Sequence, residues 1–268
     1  MSTGPTHAMS GLLAWAAVTA LADNHPIGQL TPQSWVVGAV LATGAALLPD
    51  LDHPSSTISR TFGPVSSAAS TLINTTSKLV YRTTRTKKDS KRDGGHRGLT
   101  HTLVFAVIAA LVTTAVVQQS QKWALPALMF VFAGLAVRGI MNDWNPKKDA
   151  LMITGVSAGV TVLCVAWTAQ TPASAAACGV AVGVGCVAHF LGDAITEQGC
   201  PILWPVPIGG KTWFPVAPPK IMRMQTGGRV EMSIVGPVVT ALSVWLSAAA
   251  LQQAGALPFL DGIDLLPI

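Results

Sequence analysis

Histidine and aspartate gather at matching ends of apolar segments in this chain. His7 opens one segment, and Pro49-Asp50-Leu51-Asp52-His53 closes the next. Gly95-His96-Arg97-Gly98-Leu99-Thr100-His101 opens a third, and His189-Phe190-Leu191-Gly192-Asp193 closes a later one. If those segments cross a bilayer, all of these groups land on one face. Imidazole with carboxylate is a donor set for Zn²⁺, and Mn²⁺ or Fe²⁺ become suitable as the carboxylate share rises. His189 and Asp193 stand four residues apart, so both can reach one ion from a helix end. A turn after Pro49 can aim Asp50, Asp52 and His53 at one point. His96 and His101 straddle a helix start, with Thr100 as a first-turn donor. The candidate metal ligands are therefore His7, Asp50, Asp52, His53, His96, His101, His189 and Asp193. Asp52 or Glu197, the latter a turn beyond Asp193, is the candidate general base. Arg97 is placed to hold a phosphate oxygen in bidentate fashion, or else to anchor the chain at an interface.

These groups need long apolar elements to position them, and the composition supplies those elements. Of 268 residues, 50% are apolar and only 11% charged, against about 25% charged in soluble domains; mean hydropathy is +0.49. Apolar runs near 99–118, 123–141, 150–167, 174–192 and 234–252 are long enough to span, and 9–22 and 34–48 are shorter candidates for spans or a tilted hairpin. The expected fold is an all-α polytopic transmembrane bundle of about five to seven spans. Nine of the seventeen Lys and Arg residues fall between the second and third runs. Cytoplasmic loops collect basic residues, so the N-terminus and the metal site are expected on the cytoplasmic side and the C-terminus outside. Asn142 and Asp143 reach the same end as the solvated terminus of a helix, with Arg138 pairing to Asp143. His25, on the opposite face, reads as a cap or interface residue.

The remaining segments read as accessories to one membrane-embedded domain, 1–253, with a tail at 254–268. Residues 54–95 form a basic, Ser/Thr-rich cytoplasmic insertion, in which Val65–Tyr81 suits an interfacial helix and the Lys/Arg tract after it is expected to be mobile. Net charge is +5; with only Tyr81 among the basic residues, anionic headgroups are favoured as partners over nucleic acid. Residues 199–228 are Pro- and Trp-rich. Gly209-Gly210 between two short apolar runs marks a small hairpin, a candidate lid over the polar cluster with Trp204 and Trp213 at headgroup depth. Cys164, Cys178, Cys186 and Cys200 lack ligand spacing and read as packing residues. The first apolar run has no basic residue before it, which argues against a cleaved signal peptide.

Three blocks also carry a resemblance: Leu47-Leu48-Pro49-Asp50-Leu51-Asp52-His53-Pro54-Ser55; Gly95-His96-Arg97-Gly98-Leu99-Thr100-His101-Thr102; and His189-Phe190-Leu191-Gly192-Asp193-Ala194-Ile195-Thr196, followed by Gly199 and Leu203-Trp204-Pro205. In kind and order they resemble the signature blocks of the YdjM-like inner-membrane, metal-dependent hydrolases. The resemblance implies a bacterial inner-membrane location and makes these blocks the metal-binding motifs. A fainter likeness links the order of ligands to the all-helical zinc phospholipase C type. The expected function is a Zn²⁺-dependent hydrolase acting on a phosphoester or related bond in a lipid-associated substrate. The alternative is a metal-stabilised membrane scaffold or regulatory protein without turnover. Transport is disfavoured, because the ionisable residues lie at segment ends and not at mid-span.

Overall fold

The computed structural model describes residues 2–21, 27, 29–141, 146–260, 263, 265 and 266, with backbone alone for 146–149. Its helices are α1 (Gly4–Leu21), α2 (Pro32–Ala45), α3 (Pro64–Thr84), α4 (Leu103–Ile140), α5 (Pro146–Trp167), α6 (Ala175–Ala194) and α7 (Gly236–Gln253). Short 3-10 turns at Pro49–Asp52, Ile58–Arg60 and Leu99–His101 close one end of the bundle, and a π-turn, Glu231–Val235, leads into α7. Side-chain caps start several helices. Thr31 accepts from Ser34 N with Pro32 in the first turn, Thr102 accepts from Phe105 N, and Ser174 accepts from Ala177 N, each satisfying an amide the helix leaves open. Thr102 thus caps α4, while Thr100 lies in the turn before it.

Among the described residues, five helices are long and apolar enough to cross a membrane by length and composition: Pro32–Asp52, Leu103–Ile140, Ala150–Trp167, Ala175–Ala194 and Glu231–Gln253. A straight helix as long as α4 would hold its ends about 55 Å apart. Instead Ser120 leaves helical geometry (φ −146°, ψ 42°), and the two ends of α4 lie at the same end of the molecule. Its start follows the turn carrying His101, while Gly139 near its finish packs against Leu47 and Gly4. At the opposite end Gln121 donates to Ala173 O (2.9 Å). Thus α4 is two antiparallel legs, matching the two runs read from the sequence. Helix α1, more polar in its first turns, is not among the five, yet it packs against α7, α2 and α6.

Small residues let the legs approach closely, the usual means of helix association in lipid. A Cβ on Gly44 would stand 2.1 Å from Phe132 O, and one on Gly185 2.4 Å from Ala42 O. At the far end Trp15 Nε1 donates to Trp35 O (3.0 Å) and Trp35 Nε1 to Thr19 Oγ1 (2.9 Å), tying α1 to α2.

Helix α3 stands apart from the spans and packs chiefly on the 3-10 turns. Its polarity is inverted: Ser66, Ser70, Ser77 and Tyr81 are buried, while Val65, Leu72 and Leu79 are 76%, 69% and 62% exposed. Ser77 Oγ donates to Gly94 O (2.7 Å) and accepts from Leu99 N (3.0 Å), and Asn74 Nδ2 donates to Asp52 O (2.6 Å). The helix thereby braces both loops that carry candidate ligands.

The hairpin forms as expected, with Ile208 paired to Lys211 across Gly209 and Gly210, both at positive φ, the conformation two-residue hairpin turns require. It packs on the end of α3. Trp213 is buried and its ring lies 5.0 Å from those of Trp204 and Tyr81. Both indoles donate to Thr84 Oγ1, at 3.3 Å from Trp204 and 3.1 Å from Trp213. The hairpin leans on the end of α3. The basic tract, expected to be mobile, is folded around Asp89, which accepts from the amides of Thr86 (2.7 Å), Trp213 (2.9 Å) and Thr212 (3.3 Å). Burial pushes the Asp89 carboxyl up, but these amides outweigh it and hold it below the ordinary carboxylate range. His25, Asn142 and Asp143 lie outside the described residues, and with them the expected Arg138–Asp143 pair.

Two measurements check this architecture. Gly44→Leu should lower thermal stability by about 3 kcal/mol or more, since overpacking of this kind costs roughly 1–3 kcal/mol even without a backbone in the way; Gly155→Leu, with nothing within 4 Å of its Cβ position, should unfold like wild type. Asp89→Asn should speed tryptic cleavage after Lys87, Lys88 and Lys91 several-fold, whereas unchanged cleavage would mean the carboxylate does not organise this tract.

Candidate metal centre

The chain brings the sequence-predicted ligands together through helix ends. Helix α2 finishes at Ala45, and the chain keeps turning through Pro49–Asp52, so Asp50 and Asp52 point back into the bundle end and are buried. Helix α6 delivers His189 and Asp193 from its last two turns, both fully buried. The turn Leu99–His101 supplies His101, also buried. His7 comes from the second turn of α1 and stacks on His189, with ring centroids 4.0 Å apart.

Four atoms converge. His101 Nε2 and His189 Nε2 are 3.1 Å apart. Asp193 Oδ2 lies 3.6 Å from the first and 3.9 Å from the second. Asp50 Oδ1 lies 3.6 Å from His189 Nε2 and 4.0 Å from His101 Nε2. Ligands at about 2.0–2.1 Å from a tetrahedral Zn²⁺ are about 3.3 Å from each other, so His101, His189 and Asp193 suit a single divalent ion with slight contraction, with Asp50 Oδ1 close to both imidazoles. Asp50 Oδ1 is buried with no hydrogen-bond partner among the described residues, an arrangement costly for a carboxylate unless a cation answers it. The remaining ring nitrogens are oriented from behind. His189 Nδ1 faces Ala46 O at 2.7 Å, and His101 Nδ1 faces Asp52 Oδ2 at 3.4 Å. Backbone carbonyls and carboxylates behind an imidazole are the usual means of fixing the tautomer of a metal-ligating His. The residues present fit a divalent ion. Two further groups of ligand atoms fall within 4.8 Å of one another, His7 with Asp50 and His189, and Asp50 with His96 and His101.

The other candidates occupy different places. Both oxygens of Asp52 are engaged, Oδ1 by His96 Nδ1 (2.7 Å) and Oδ2 by Thr100 Oγ1 (2.6 Å), so it orients imidazoles instead of facing the converging atoms. His53 sits half-buried at the rim, its Nδ1 3.0 Å from Ser55 Oγ and its ring edge-on to His96. His7 Nε2 is 3.2 Å from Asp193 Oδ1, an ion-pair distance but out of line for a hydrogen bond.

Arg97 is neither a free phosphate holder nor a surface anchor. It is buried, with φ +52°, and its guanidinium lies 3.0 Å from Asp193 Oδ2 while donating to Gly199 O (3.0 Å) and Thr196 Oγ1 (3.1 Å). Glu197 does not reach the cluster. Helix α6 ends at Ala194 and the chain turns away through Gly199 at φ +67°, leaving Glu197 exposed with its backbone carbonyl accepting from Arg223 (2.9 Å).

Burial pushes the His101 imidazole down, but the carboxylates of Asp52 and Asp193 outweigh it and raise it to about 9. The sequence reading missed two contributors. Ser2 N donates to Asp193 Oδ1 (2.8 Å). Glu231, fully buried, accepts from Thr3 N (2.6 Å) and Gly227 N (2.8 Å), pinning the segment that carries His7; its signal was a lone carboxylate at the start of the last apolar run.

Arg97→Met should destabilise the protein by about 3–5 kcal/mol, the cost of removing one member of a buried ion pair, read as chemical or thermal unfolding in detergent. A loss under about 1 kcal/mol, the worth of a surface pair, would contradict this reading of its place.

The model of one family, described as YdjM inner membrane protein, matches residues 1–255. No curated protein and no solved structure was found to match the chain.

Proposed function

The chain belongs to the YdjM inner membrane protein family, and from that premise we propose that it is a membrane-bound, Zn²⁺-dependent hydrolase of a phosphoester or related bond in a lipid-associated substrate. The observation that carries the reading is the convergence of His101 Nε2, His189 Nε2, Asp50 Oδ1 and Asp193 Oδ2 at one end of an apolar bundle. Ionisable groups at such depth are costly and mark function by default. A divalent ion held by three of these, as His101, His189 and Asp193 stand, would keep a fourth position for water, supply Lewis acidity toward a phosphoryl oxygen and acidify water near neutral pH. Asp52 holds His101 and His96 in place. Arg97 and Ser2 N hold the Asp193 carboxylate, leaving its position fixed before substrate arrives. His96, 25% exposed, and His53 form the opening, so the proton-accepting group nearest to an entering substrate is His96, oriented by Asp52. His7 backs His189 and limits water on the inner side.

A second reading, a metal-fastened scaffold without turnover, draws on the near-complete burial of His7, His101, His189 and Asp193. A structural site is closed by protein ligands, whereas a catalytic site keeps an open position. The partial exposure of His96 favours the enzyme.

Purified protein should retain about one or more equivalents of zinc per chain, consistent with four-ligand sites. Asp50→Ala, His101→Ala and His189→Ala should each lose most of it, while Glu197→Gln keeps it. Asp52→Asn should lower metal affinity or turnover by about 10–100-fold, as loss of a group behind a ligand does. Full zinc in all three alanine variants would sink the shared site. Wild-type protein with full zinc and no turnover of any phosphomonoester, phosphodiester, ester or amide would leave the scaffold.

A further inference from the structure

The outer face of α3 and the tract beyond it make a surface that neither the fold nor the cluster uses. Val65, Leu72 and Leu79 recur every seven residues, and all three point away from the protein. Seven basic residues follow or flank them, Lys78, Arg82, Arg85, Lys87, Lys88, Lys91 and Arg92. The two acidic residues in the same stretch do not offset them outwardly. Asp89 is buried and turned onto three amides, and Asp93 is paired with Lys78 at 3.0 Å. Beside the helix end, Arg85, Thr86, Lys87, Asp89 and Lys91 line an open cleft of about 450 Å³. Arg85, Lys87 and Lys91 are exposed there. Leu203 and Val206 of the neighbouring hairpin are exposed too, at 41% and 57%.

We propose that this surface docks on the membrane at the metal-site end, with the apolar stripe of α3 at the acyl boundary and the 85–91 cleft on the headgroup of an anionic phospholipid. Charge complementarity selects the occupant. An apolar stripe alone would suit any lipid, or a second copy of the chain, but a second copy would bring its own basic tract against this one. A basic flank beside an apolar helical face suits an acidic leaflet. The same loop runs on to His96, which is 25% exposed. The proposal concerns binding and holds even if the cluster has no turnover.

The test uses the full chain in neutral-detergent micelles, titrated with short-chain phosphatidylglycerol and read by thermal shift. Phosphatidylglycerol should stabilise the protein saturably, and less so at high salt. Phosphatidylcholine and inorganic phosphate should not. Each Lys or Arg near a bilayer surface is worth about five-fold in affinity, so Arg85→Gln/Lys87→Gln/Lys91→Gln should bind about 100-fold more weakly, and Lys87→Gln alone about five-fold. Lys122→Gln, at the far end, should match wild type. Equal stabilisation by phosphatidylcholine or by phosphate, or unchanged affinity in both glutamine variants, would overturn the proposal. Zinc content and helical circular dichroism should be unaltered in the variants, which separates loss of docking from loss of fold.

Discussion

Carboxylates and imidazoles buried at the end of an apolar bundle must each be answered by an opposite charge or a hydrogen bond, because water cannot reach them to do so. Asp193 shows how much of the structure this requirement recruits. Arg97 comes to it from the loop before α4, Ser2 N from the N-terminal segment, and His7 from α1. Asp52 is answered from the loop before α4 by His96, Thr100 and His101. Asp50 Oδ1 has no hydrogen-bond partner among the described residues, and that oxygen faces the two nitrogens closest to each other. A cation placed there would answer that oxygen.

The surrounding elements can be understood as holding that arrangement still. Glycines at 44 and 185 bring α2 close to the returning leg of α4 and to α6, so the turn after α2 reaches the last turns of α6. The backbone carbonyl of Ala46 then orients His189. Glu231 locks the N-terminal segment from the start of α7, and α3 fastens the two loops from outside through Asn74 and Ser77. Positioning a site within a fraction of an ångström requires such support behind each ligand. Here the support comes from spans that lipid keeps helical.

Much of this was legible in the sequence, for a definite reason. Apolar runs fix where helices end, and polar residues at those ends must share a face. His7, Asp50, His101, His189 and Asp193 lie together at one end for this reason, and the two apolar runs of α4 are its two legs. Chain direction beyond a helix end is not encoded in periodicity. Glu197 lies one turn past Asp193 in sequence, but α6 ends at Ala194 and the backbone turns through Gly199. Arg97 takes a left-handed backbone conformation that turns its guanidinium inward, a choice that hydropathy cannot reveal. Asp52 and Asp50 look alike as neighbours on one turn, and only three dimensions separate the one that faces the converging atoms from the one behind them. The hairpin's partner was likewise invisible, since Trp213 is as apt to face lipid as to pack on Tyr81.

The chain is thus a polytopic helical member of an inner-membrane family, with buried His/Asp groups close enough together to hold a metal ion, the role proposed for them here. X-ray absorption at the metal edge of the purified full-length protein tests that claim most directly. The account expects a shell of nitrogen and oxygen only, at about 2.0–2.1 Å with outer-shell scattering from at least two imidazoles. A sulfur shell at about 2.3 Å, or an ion surrounded by water alone, would contradict it.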